Sequence, residues 1–286
     1  MVAHRFAKYE GLGNDFLVVE QSRFPALTPA LAARLCDRHF GVGGDGVLVT
    51  GLSAEGRPFM RVINADGSAP EMCGNGLRCV ALYLVERGLV TPRAEGDAFE
   101  VDTDAGPHAV RVLRADGGAQ VEVRMRPASL EGCEVLGAGV PRDARGHWVD
   151  REEHFDGRAV KLTAVSMGNP HVVTFDDVLA DASTLGPRIE RDARFRAGAN
   201  VGFATLQDAE NIALTVWERG VGFTLACGTG ACAAAVAAVE TGRAPRGGTL
   251  HVHLPGGPLA IRVGAEGEPI SMTGPARHVF DGDVAI

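Results

Sequence analysis

The sequence predicts an α+β protein made of two pseudo-symmetric lobes, each a mainly antiparallel β-sheet or barrel wrapped around one central helix. The segment CGNGLRCVALYLVERG, which starts at Cys73, recurs as CGTGACAAAVAAVETG from Cys227, 154 positions later. An upstream pair, GLGNDF around Asn14 and SMGNPH around Asn169, repeats at an offset of 155. Short alternating apolar segments with glycine-rich ends fill the rest of each half, as is typical of β-strands. Two motifs repeated in the same order indicate an internal duplication.

One helix is predicted directly after each Cys-Gly-x-Gly motif. In the first, apolar residues from Leu77 to Val85 follow helical spacing, and Gly88 ends the helix. The second is small and apolar nearly all round, which indicates a helix enclosed by strands. A further helix is predicted over residues 28–41, with Thr28 as its N-cap and a proline in its first turn.

Composition and charge exclude several classes of partner. The 286 residues are 45% hydrophobic, and the net charge is −8 with no basic block, which argues against a nucleic-acid partner. No apolar run approaches the ~20 residues that span a bilayer, and the first residues lack a signal-peptide core. We therefore expect a cytoplasmic protein with no membrane partner.

The six cysteines divide into two groups. None lies in a CxxC pair, and a disulfide framework is not expected in a reducing compartment. We interpret four of them as small buried residues: Cys36, Cys79, Cys133 and Cys232. Cys73 and Cys227 differ because the duplication repeats them together with their glycines. This repetition favours a chemical role for these two thiols.

A cysteine at the glycine-rich start of a helix favours proton transfer at an amino-acid α-carbon. The first backbone N–H groups of a helix have no internal partner and can hold a small carboxylate. The same positive field is expected to lower the thiol pKa. Two such thiols could remove an α-proton from one face and deliver a proton to the other. No P-loop, GxGxxG after a strand or HExxH motif is present, so we expect no cofactor and no metal.

The motifs taken together resemble the diaminopimelate epimerase family. They are KYEGLGNDF, GVGGDGVLV, NADGSAPEMCGNGLRC, SMGNPH, ANVGF and WERGVGFTLACGTGACA, and they run from residue 8 to about residue 240. The resemblance implies a homodimeric, PLP-independent epimerase that interconverts LL- and meso-diaminopimelate in lysine and peptidoglycan precursor biosynthesis. It also implies that the C-terminal stretch returns to the first lobe, giving lobes of residues 1–126 plus 272–286 and residues 127–271.

The resemblance also implies the site residues. Cys73 and Cys227 take the acid and base roles. Backbone N–H groups of Gly74, Asn75, Gly228 and Thr229 hold the reacting carboxylate, and the distal end of the substrate is held by Asn14, Asn64, Asn169, Asn200, Glu218 and Arg219. The chain departs from the family pattern at Phe223, where many relatives have glutamate, and at Gly46, where some have glutamine.

Two alternatives remain open on the residues alone. One is a racemase or epimerase of another amino acid, such as proline or hydroxyproline, whose substrates lack the second ammonium and carboxylate that Glu218 and Arg219 suit. The other is a non-catalytic amino-acid-binding protein, against which the two thiols argue because carboxylate binding needs neither. Exchange of the α-hydrogen with solvent would separate an enzyme from a binding protein.

Overall fold

The computed structural model describes residues 2–24, 27–115, 118–131 and 135–286. Within these ranges the α-helices are α1 (Pro29–Cys36), α2 (Gly74–Glu86), α3 (Ala182–Glu190) and α4 (Gly228–Glu240). The strands are β1 (Ala3–Gly11), β2 (Asn14–Glu20), β3 (Gly46–Leu52), β4 (Pro58–Asn64), β5 (Phe99–Thr103), β6 (Gly106–Ala115), β7 (Gly118–Met125), β8 (Arg151–Phe155), β9 (Arg158–Ser166), β10 (Pro170–Thr174), β11 (Asn200–Leu206), β12 (Asn211–Glu218), β13 (Gly222–Phe223), β14 (Thr249–Leu254), β15 (Gly257–Arg262), β16 (Ile270–Pro275) and β17 (Arg277–Ala285).

The chain forms two compact units that repeat one order of elements. The first unit comprises Met1–Arg124 and Thr273–Ile286, and the second comprises Met125–Met272. In the first unit the order is β1, β2, α1, β3, β4, α2, β5 and β6. The second unit has β9, β10, α3, β11, β12, α4, β14 and β15, with β13 as an added short strand before α4. The repeated order confirms the duplicated α+β fold that the sequence predicts.

The duplication extends to the register of the strands. Val47 of β3 pairs antiparallel with Ile63 of β4. Val201 of β11 pairs antiparallel with Trp217 of β12, and both of these residues lie 154 positions further along the chain. The two copies therefore keep the same hydrogen-bonding frame although most of their side chains differ.

Most strand pairings are antiparallel, as the sequence predicts, and a few are parallel. Hairpins such as β1–β2, β3–β4 and β5–β6 are antiparallel. The structure adds two parallel pairings in each unit: β2–β3 and β4–β5 in the first, and β10–β11 and β12–β14 in the second. Each parallel pair is joined through a helix, because parallel neighbours need a long crossover.

The predicted central helices are each enclosed by the strands of their own unit. α2 packs against β1, β2, β3, β4, β6 and β17, and its first eleven residues are all buried. α4 packs against β9, β10, β11, β12, β14 and β15. Its alanines from Ala231 to Ala238 have no exposed surface. None of the described helices is both long and apolar enough to cross a membrane.

The first helix is shorter than the predicted 28–41 span. The hydroxyl of Thr28 caps α1 by accepting the N–H three residues on, at 3.2 Å. The helix ends at Cys36, because the Asp37 carboxylate accepts the backbone N–H groups of His39 and Phe40 and turns the chain. An aspartate bonded to the N–H groups that follow it favours a turn over a continued helix.

Three of the four cysteines interpreted as packing residues lie in apolar interiors. Cys36 is 3% exposed, and Cys79 and Cys232 are fully buried in α2 and α4. Cys133 lies outside the described residues.

Candidate active site

Each of the two central helices begins at a cysteine whose sulfur accepts a hydrogen bond from the helix backbone. Cys73 caps α2, with its Sγ 3.4 Å from the N–H of Gly76. Cys227 caps α4, with its Sγ 3.4 Å from the N–H of Gly230. Cys73 is partly exposed, whereas Cys227 is buried. Both sulfurs therefore lie at the positive end of a helix, beside donors that have no partner within the helix.

Gly76 and Gly230, three residues after the two cysteines, lie in tightly packed positions. A Cβ on Gly76 would lie 2.8 Å from Cδ2 of Leu48. A Cβ on Gly230 would lie 3.1 Å from both the Cys227 Sγ and a methyl of Val216. The glycines thus allow the helix starts to approach the strands and leave the cysteine sulfur uncrowded.

In the first unit, three polar side chains form a chain of hydrogen bonds at the start of α2. Asn75, which is 4% exposed, donates its Nδ2 to Oδ1 of Asn14 at 3.2 Å. Asn14 donates its own Nδ2 to Oδ2 of Asp45 at 2.6 Å. The same carboxylate oxygen accepts the backbone N–H of Asp15 at 3.0 Å. The structure thus brings the predicted residues Asn14 and Asn75 together next to Cys73.

Three charged side chains, those of Lys8, Asp15 and Arg38, lie next to this series of hydrogen bonds. Nζ of the buried Lys8 lies 2.5 Å from the Asp15 carboxylate. Arg38 donates to Asp15 at 2.6 Å and to Asp45 at 2.8 Å. Burial raises the pKa of Asp15, but the hydrogen bonds from Arg38 and Lys8 outweigh it and lower that pKa to about 2. No role was predicted for these charged residues, although they lie within the motifs KYEGLGNDF and GVGGDG and the segment between them.

Asn64 lies apart from this hydrogen-bonded chain. It ends β4, and its Nδ2 donates to the hydroxyl of Ser68 at 3.0 Å. Its neighbour Ala65 donates a backbone N–H to the carbonyl of Asp45 at 3.0 Å. Asn64 is therefore linked to the group around Asn14 by the backbone hydrogen bond between Ala65 and Asp45. Its own side-chain amide binds Ser68.

In the second unit, a line of hydrogen bonds leads to the Cys227 thiol. Asn169 donates its Nδ2 to Thr229 Oγ1 at 3.3 Å, and that hydroxyl lies 3.6 Å from Cys227 Sγ. The Asn169 carbonyl faces Nε2 of His171 at 3.1 Å, so we assign the proton of the imidazole to Nε2. Burial, with a smaller contribution from the Arg219 charge, lowers the pKa of His171 to about 3, so the ring is neutral. Asn169 lies in the bend before β10 and His171 lies within β10, so their nearness along the chain was the one sequence signal for His171.

Asn200 and Arg219 are joined in the same unit. The Asn200 side chain is buried, and its Oδ1 accepts the backbone N–H of Arg219 at 2.9 Å. Its Nδ2 donates to the carbonyl of Pro170 at 3.0 Å. The Arg219 guanidinium donates to the carbonyl of Ala197 at 2.7 Å. Both predicted residues are thus fixed by backbone groups on neighbouring segments.

Glu218 lies against Cys227 and contributes to a raised pKa of its thiol. Burial raises the pKa of Glu218, while hydrogen bonds from Thr224, at 2.5 Å, and from Cys227 act in the opposite direction. Burial also raises the pKa of Cys227, and the negative charge of Glu218 raises it further. The expectation that the helix start lowers the thiol pKa is therefore wrong for Cys227. Loss of water outweighs the hydrogen bonds from Thr229 and Gly230, so this thiol is protonated at neutral pH.

Gly46 and Phe223, the two positions expected to depart from the family pattern, differ in their surroundings. A Cβ on Gly46 would lie 2.9 Å from the carbonyl oxygen of Ile63, so this backbone leaves no space for a side chain there. Phe223 is 46% exposed and packs its ring edge-on against Trp217, with centroids 5.0 Å apart.

The predicted residues thus form one group in each unit. The group at α2 contains Cys73, Gly74, Asn75 and Asn14, with Asn64 attached through the backbone; the group at α4 contains Cys227, Gly228, Thr229, Asn169 and Glu218, with Arg219 and Asn200 adjoining it. Backbone N–H groups at each helix start can hold a carboxylate, and each thiol can transfer a proton. Within the described ranges, no cluster of three His, Cys, Asp or Glu side chains could hold a metal ion.

Comparison with solved structures defines the class of fold. A probable proline racemase from Agrobacterium radiobacter aligns with 99% of this chain and 93% of its own, with a TM-score of 0.69 and 17% identity. A phenazine biosynthesis protein from Bacillus anthracis aligns over the whole of both chains, with a TM-score of 0.70 and 15% identity. A hydroxyproline epimerase from Agrobacterium vitis covers 99% of this chain and 91% of its own, with a TM-score of 0.64 and 15% identity. At these identities the likeness shows that this chain shares its fold with the three proteins.

Sequence relatives narrow the class to one family. The family model for diaminopimelate epimerase matches residues 6–131 and 163–279. A diaminopimelate epimerase of Desulforudis audaxviator is 46% identical over 97% of this chain and 98% of its own. Diaminopimelate epimerase 1 of a Nostoc species is 43% identical over 98% of this chain and 99% of its own. The chain belongs to the diaminopimelate epimerase family, and the resemblance seen in the sequence motifs is confirmed.

Proposed function

We propose that this protein is an isomerase that interconverts LL- and meso-diaminopimelate by acid–base catalysis with two cysteines and no cofactor, in lysine and peptidoglycan precursor biosynthesis. The observation that carries the mechanism is the matched pair of cysteine-capped helices. Cys73 and Cys227 occupy the same position in the two copies, and each sulfur is 3.4 Å from the N–H three residues on. Names of full-length relatives at 43% and 46% identity support the substrate.

The reaction needs one thiolate and one thiol acting on opposite faces of the same α-carbon. One sulfur takes the α-proton and the other gives a proton to the carbanion, so the configuration inverts and no net proton is consumed. The protonated state of Cys227 in the free protein supports its entry into the cycle as the acid. In the reaction direction in which Cys227 acts as the acid, Cys73 acts as the base. In the reverse direction the two cysteines exchange these roles.

The helix starts stabilise the charge that develops. Deprotonation at the α-carbon moves negative charge into the attached carboxylate. The backbone N–H groups of Gly74, Asn75, Gly228 and Thr229 are the donors that we assign to this carboxylate. Donors fixed in place before the reaction stabilise such charge without reorganisation.

The distal end of the substrate is assigned to the remaining polar residues. It carries one ammonium and one carboxylate. The guanidinium of Arg219 suits the carboxylate, and the Glu218 carboxylate suits the ammonium. Amide groups complete the set, from Asn14, Asn64, Asn169 and Asn200. The hydrogen bond from the Arg219 backbone N–H to Asn200 Oδ1, at 2.9 Å, supports this assignment because it joins two members of the set.

Organisation and location belong to the same proposal. We assign lobes of residues 1–126 plus 272–286 and residues 127–271, and the compact units divide within two residues of these limits. A homodimer is supported by β17, a nine-residue strand in which no residue is buried and which exposes Val279 and Phe280. We also propose a cytoplasmic location without nucleic-acid or membrane partners; the net charge of −8 supports the absence of a nucleic-acid partner, because phosphate binding needs positive charge.

The test is incubation of the reduced protein with LL-diaminopimelate in D₂O, followed by NMR and chiral analysis. We expect deuterium at one α-carbon and formation of the meso isomer. Exchange with proline or hydroxyproline and none with diaminopimelate would overturn the substrate but keep the thiol chemistry. Absence of exchange with any amino acid would overturn the enzymatic assignment.

A further inference from the structure

Glu190 is a buried carboxylate that the mechanism above does not use. It is the last residue of α3 and is 7% exposed. Both of its oxygens are occupied: Oε2 accepts the indole N–H of Trp217 at 2.7 Å, and Oε1 accepts the backbone N–H of Gly220 at 2.9 Å. Such a group must be satisfied by donors, because burying an unpaired charge is costly.

The two donors are the residues on either side of Glu218 and Arg219. Gly220 turns the chain with a φ of +76°, and the N–H of Val221 closes the turn on the carbonyl of Glu218 at 3.0 Å. One carboxylate therefore holds both ends of the four-residue segment that carries two residues assigned to the distal end of the substrate.

The surrounding backbone is shaped to allow this contact. A Cβ on Gly186, within α3, would lie 2.7 Å from the Trp217 ring. A Cβ on Gly198 would lie 2.9 Å from the Glu190 carbonyl and 3.2 Å from the Arg219 side chain. Glycine at both positions lets the indole and the arginine stem lie directly against α3 and the segment after it.

Helix stability does not account for a glutamate at this position. A negative charge at the C-terminal end of a helix is unfavourable, because the helix carries partial negative charge there. A neutral residue would stabilise α3 more. We therefore attribute the carboxylate at this position to its hydrogen bonds with Trp217 and Gly220.

We propose that Glu190 is a positioning residue for substrate binding: it acts through Trp217 and Gly220 to hold Glu218 and Arg219 in place. The role rests on the function proposed above, in which those two residues bind the distal end of diaminopimelate. Glu190 itself takes no part in proton transfer.

The central test is Glu190→Gln. Glutamine keeps the shape but replaces one acceptor oxygen with an NH₂ group, which then faces an N–H donor. We expect KM for diaminopimelate to rise about tenfold or more, with a smaller change in kcat, because binding of the distal end is disturbed while the thiols are kept. Trp217→Phe removes one of the two donors, so KM should rise less.

The control and the spectroscopic readout both use Trp148. It is buried in the core of the same unit, and its ring packs edge-on against Phe195. Trp148→Phe should lower the melting temperature and leave KM unchanged. It also leaves Trp217 as the single tryptophan, since the chain has two. In that background, Glu190→Gln should shift the emission maximum of Trp217.

The outcomes separate the two proposals. A wild-type KM in Glu190→Gln, or an equal rise in Trp148→Phe, would overturn the positioning role while the function stands. If Glu190→Gln does not fold, Trp217→Phe decides, and an unchanged KM in that variant rejects the role. A wild-type protein inactive on diaminopimelate would overturn the function, and the positioning role with it, even if the emission shift were seen.

Discussion

Asn14 donates its side-chain Nδ2 to Asp45 at 2.6 Å, and this bond determines which amide atom meets Asn75. With Nδ2 turned to the carboxylate, Oδ1 of Asn14 faces the Asn75 amide at 3.2 Å. Arg38 holds the other oxygen of Asp45 at 2.8 Å. The orientation of the Asn14 amide, which is assigned to substrate binding, is thus fixed by the charged side chains of Asp45 and Arg38.

Removing this anchor is expected to weaken substrate binding. Asp45→Ala leaves the Asn14 amide free to rotate, so KM for diaminopimelate should rise. The unfolding free energy should fall by about 1–3 kcal/mol, because Asn14, Arg38 and the Asp15 N–H all lose an acceptor. Steady-state kinetics and urea unfolding measure the two effects. Asp104→Ala is the control, since Asp104 is half-exposed and pairs with Arg61 at 3.3 Å. An unchanged KM in Asp45→Ala would contradict the prediction.

The proposed chemistry distinguishes two cysteines from the rest. Cys73→Ala and Cys227→Ala should each lower turnover by about 10²–10⁴-fold, the usual contribution of a positioned acid or base. Cys232→Ala, in the same helix as the Cys227 cap, should retain turnover, because its thiol is fully buried in the packing of α4. Chiral analysis of diaminopimelate with time measures all three. Turnover retained after loss of either capping thiol would refute the two-cysteine mechanism.

The Thr224 hydroxyl is expected to influence the pH profile. Burial raises the pKa of Glu218, and the hydrogen bond from Thr224 counteracts this. Thr224→Val removes that bond, so the pKa of Glu218 should rise further and the carboxyl should stay protonated to higher pH. If the ionised form binds the substrate ammonium, the acid limb of kcat/KM must move to higher pH. Thr205→Val, on an exposed part of β11, serves as the control. Superimposable profiles would show that the ionisation of Glu218 is not required.

Asp15 makes stability depend on pH in the acid range. Although burial acts to raise its pKa, hydrogen bonds from Arg38 and Lys8 lower it to about 2, below the value near 3.9 of an unfolded chain. A lowered pKa in the folded state stabilises the protein above the unfolded value, and the stabilisation is lost as pH falls from about 4 to about 2. Unfolding free energies measured across this range should decline, and Asp15→Asn should flatten part of the decline. An identical slope in the variant would argue against a contribution from Asp15.

Local pattern predicts the repeated elements of this fold well. The motif repeat places the helices after Cys73 and Cys227, and the Thr28 cap is where the sequence predicts it. The end of α1 at Cys36 was missed, because it depends on how the Asp37 side chain turns. The parallel pairings were missed as well, since periodicity reports which face of a strand is buried but not which strand lies beside it.

The predicted site residues stay a prediction, and their electrostatics were not foreseen from the sequence. A motif does not show how completely its sulfur is buried, so the raised pKa of Cys227 ran against the expectation from the helix start alone. Glu190 lies 27 residues from the indole that it binds, and such a pair leaves no local pattern. Residues proposed to position others are therefore the part of this site that sequence patterns do not reveal.

The alanine-rich interior of α4 has a consequence for the exchange of parts between the two copies. At positions 154 apart, α2 has Leu77, Tyr83 and Leu84, whereas α4 has Ala231, Ala237 and Ala238, and all of these lie in closed interiors. The strands around each helix must have diverged with it, because interiors tolerate little added volume. A chimera with the α2 sequence in place of α4 would overfill its unit. The halves began as duplicates and are no longer interchangeable modules.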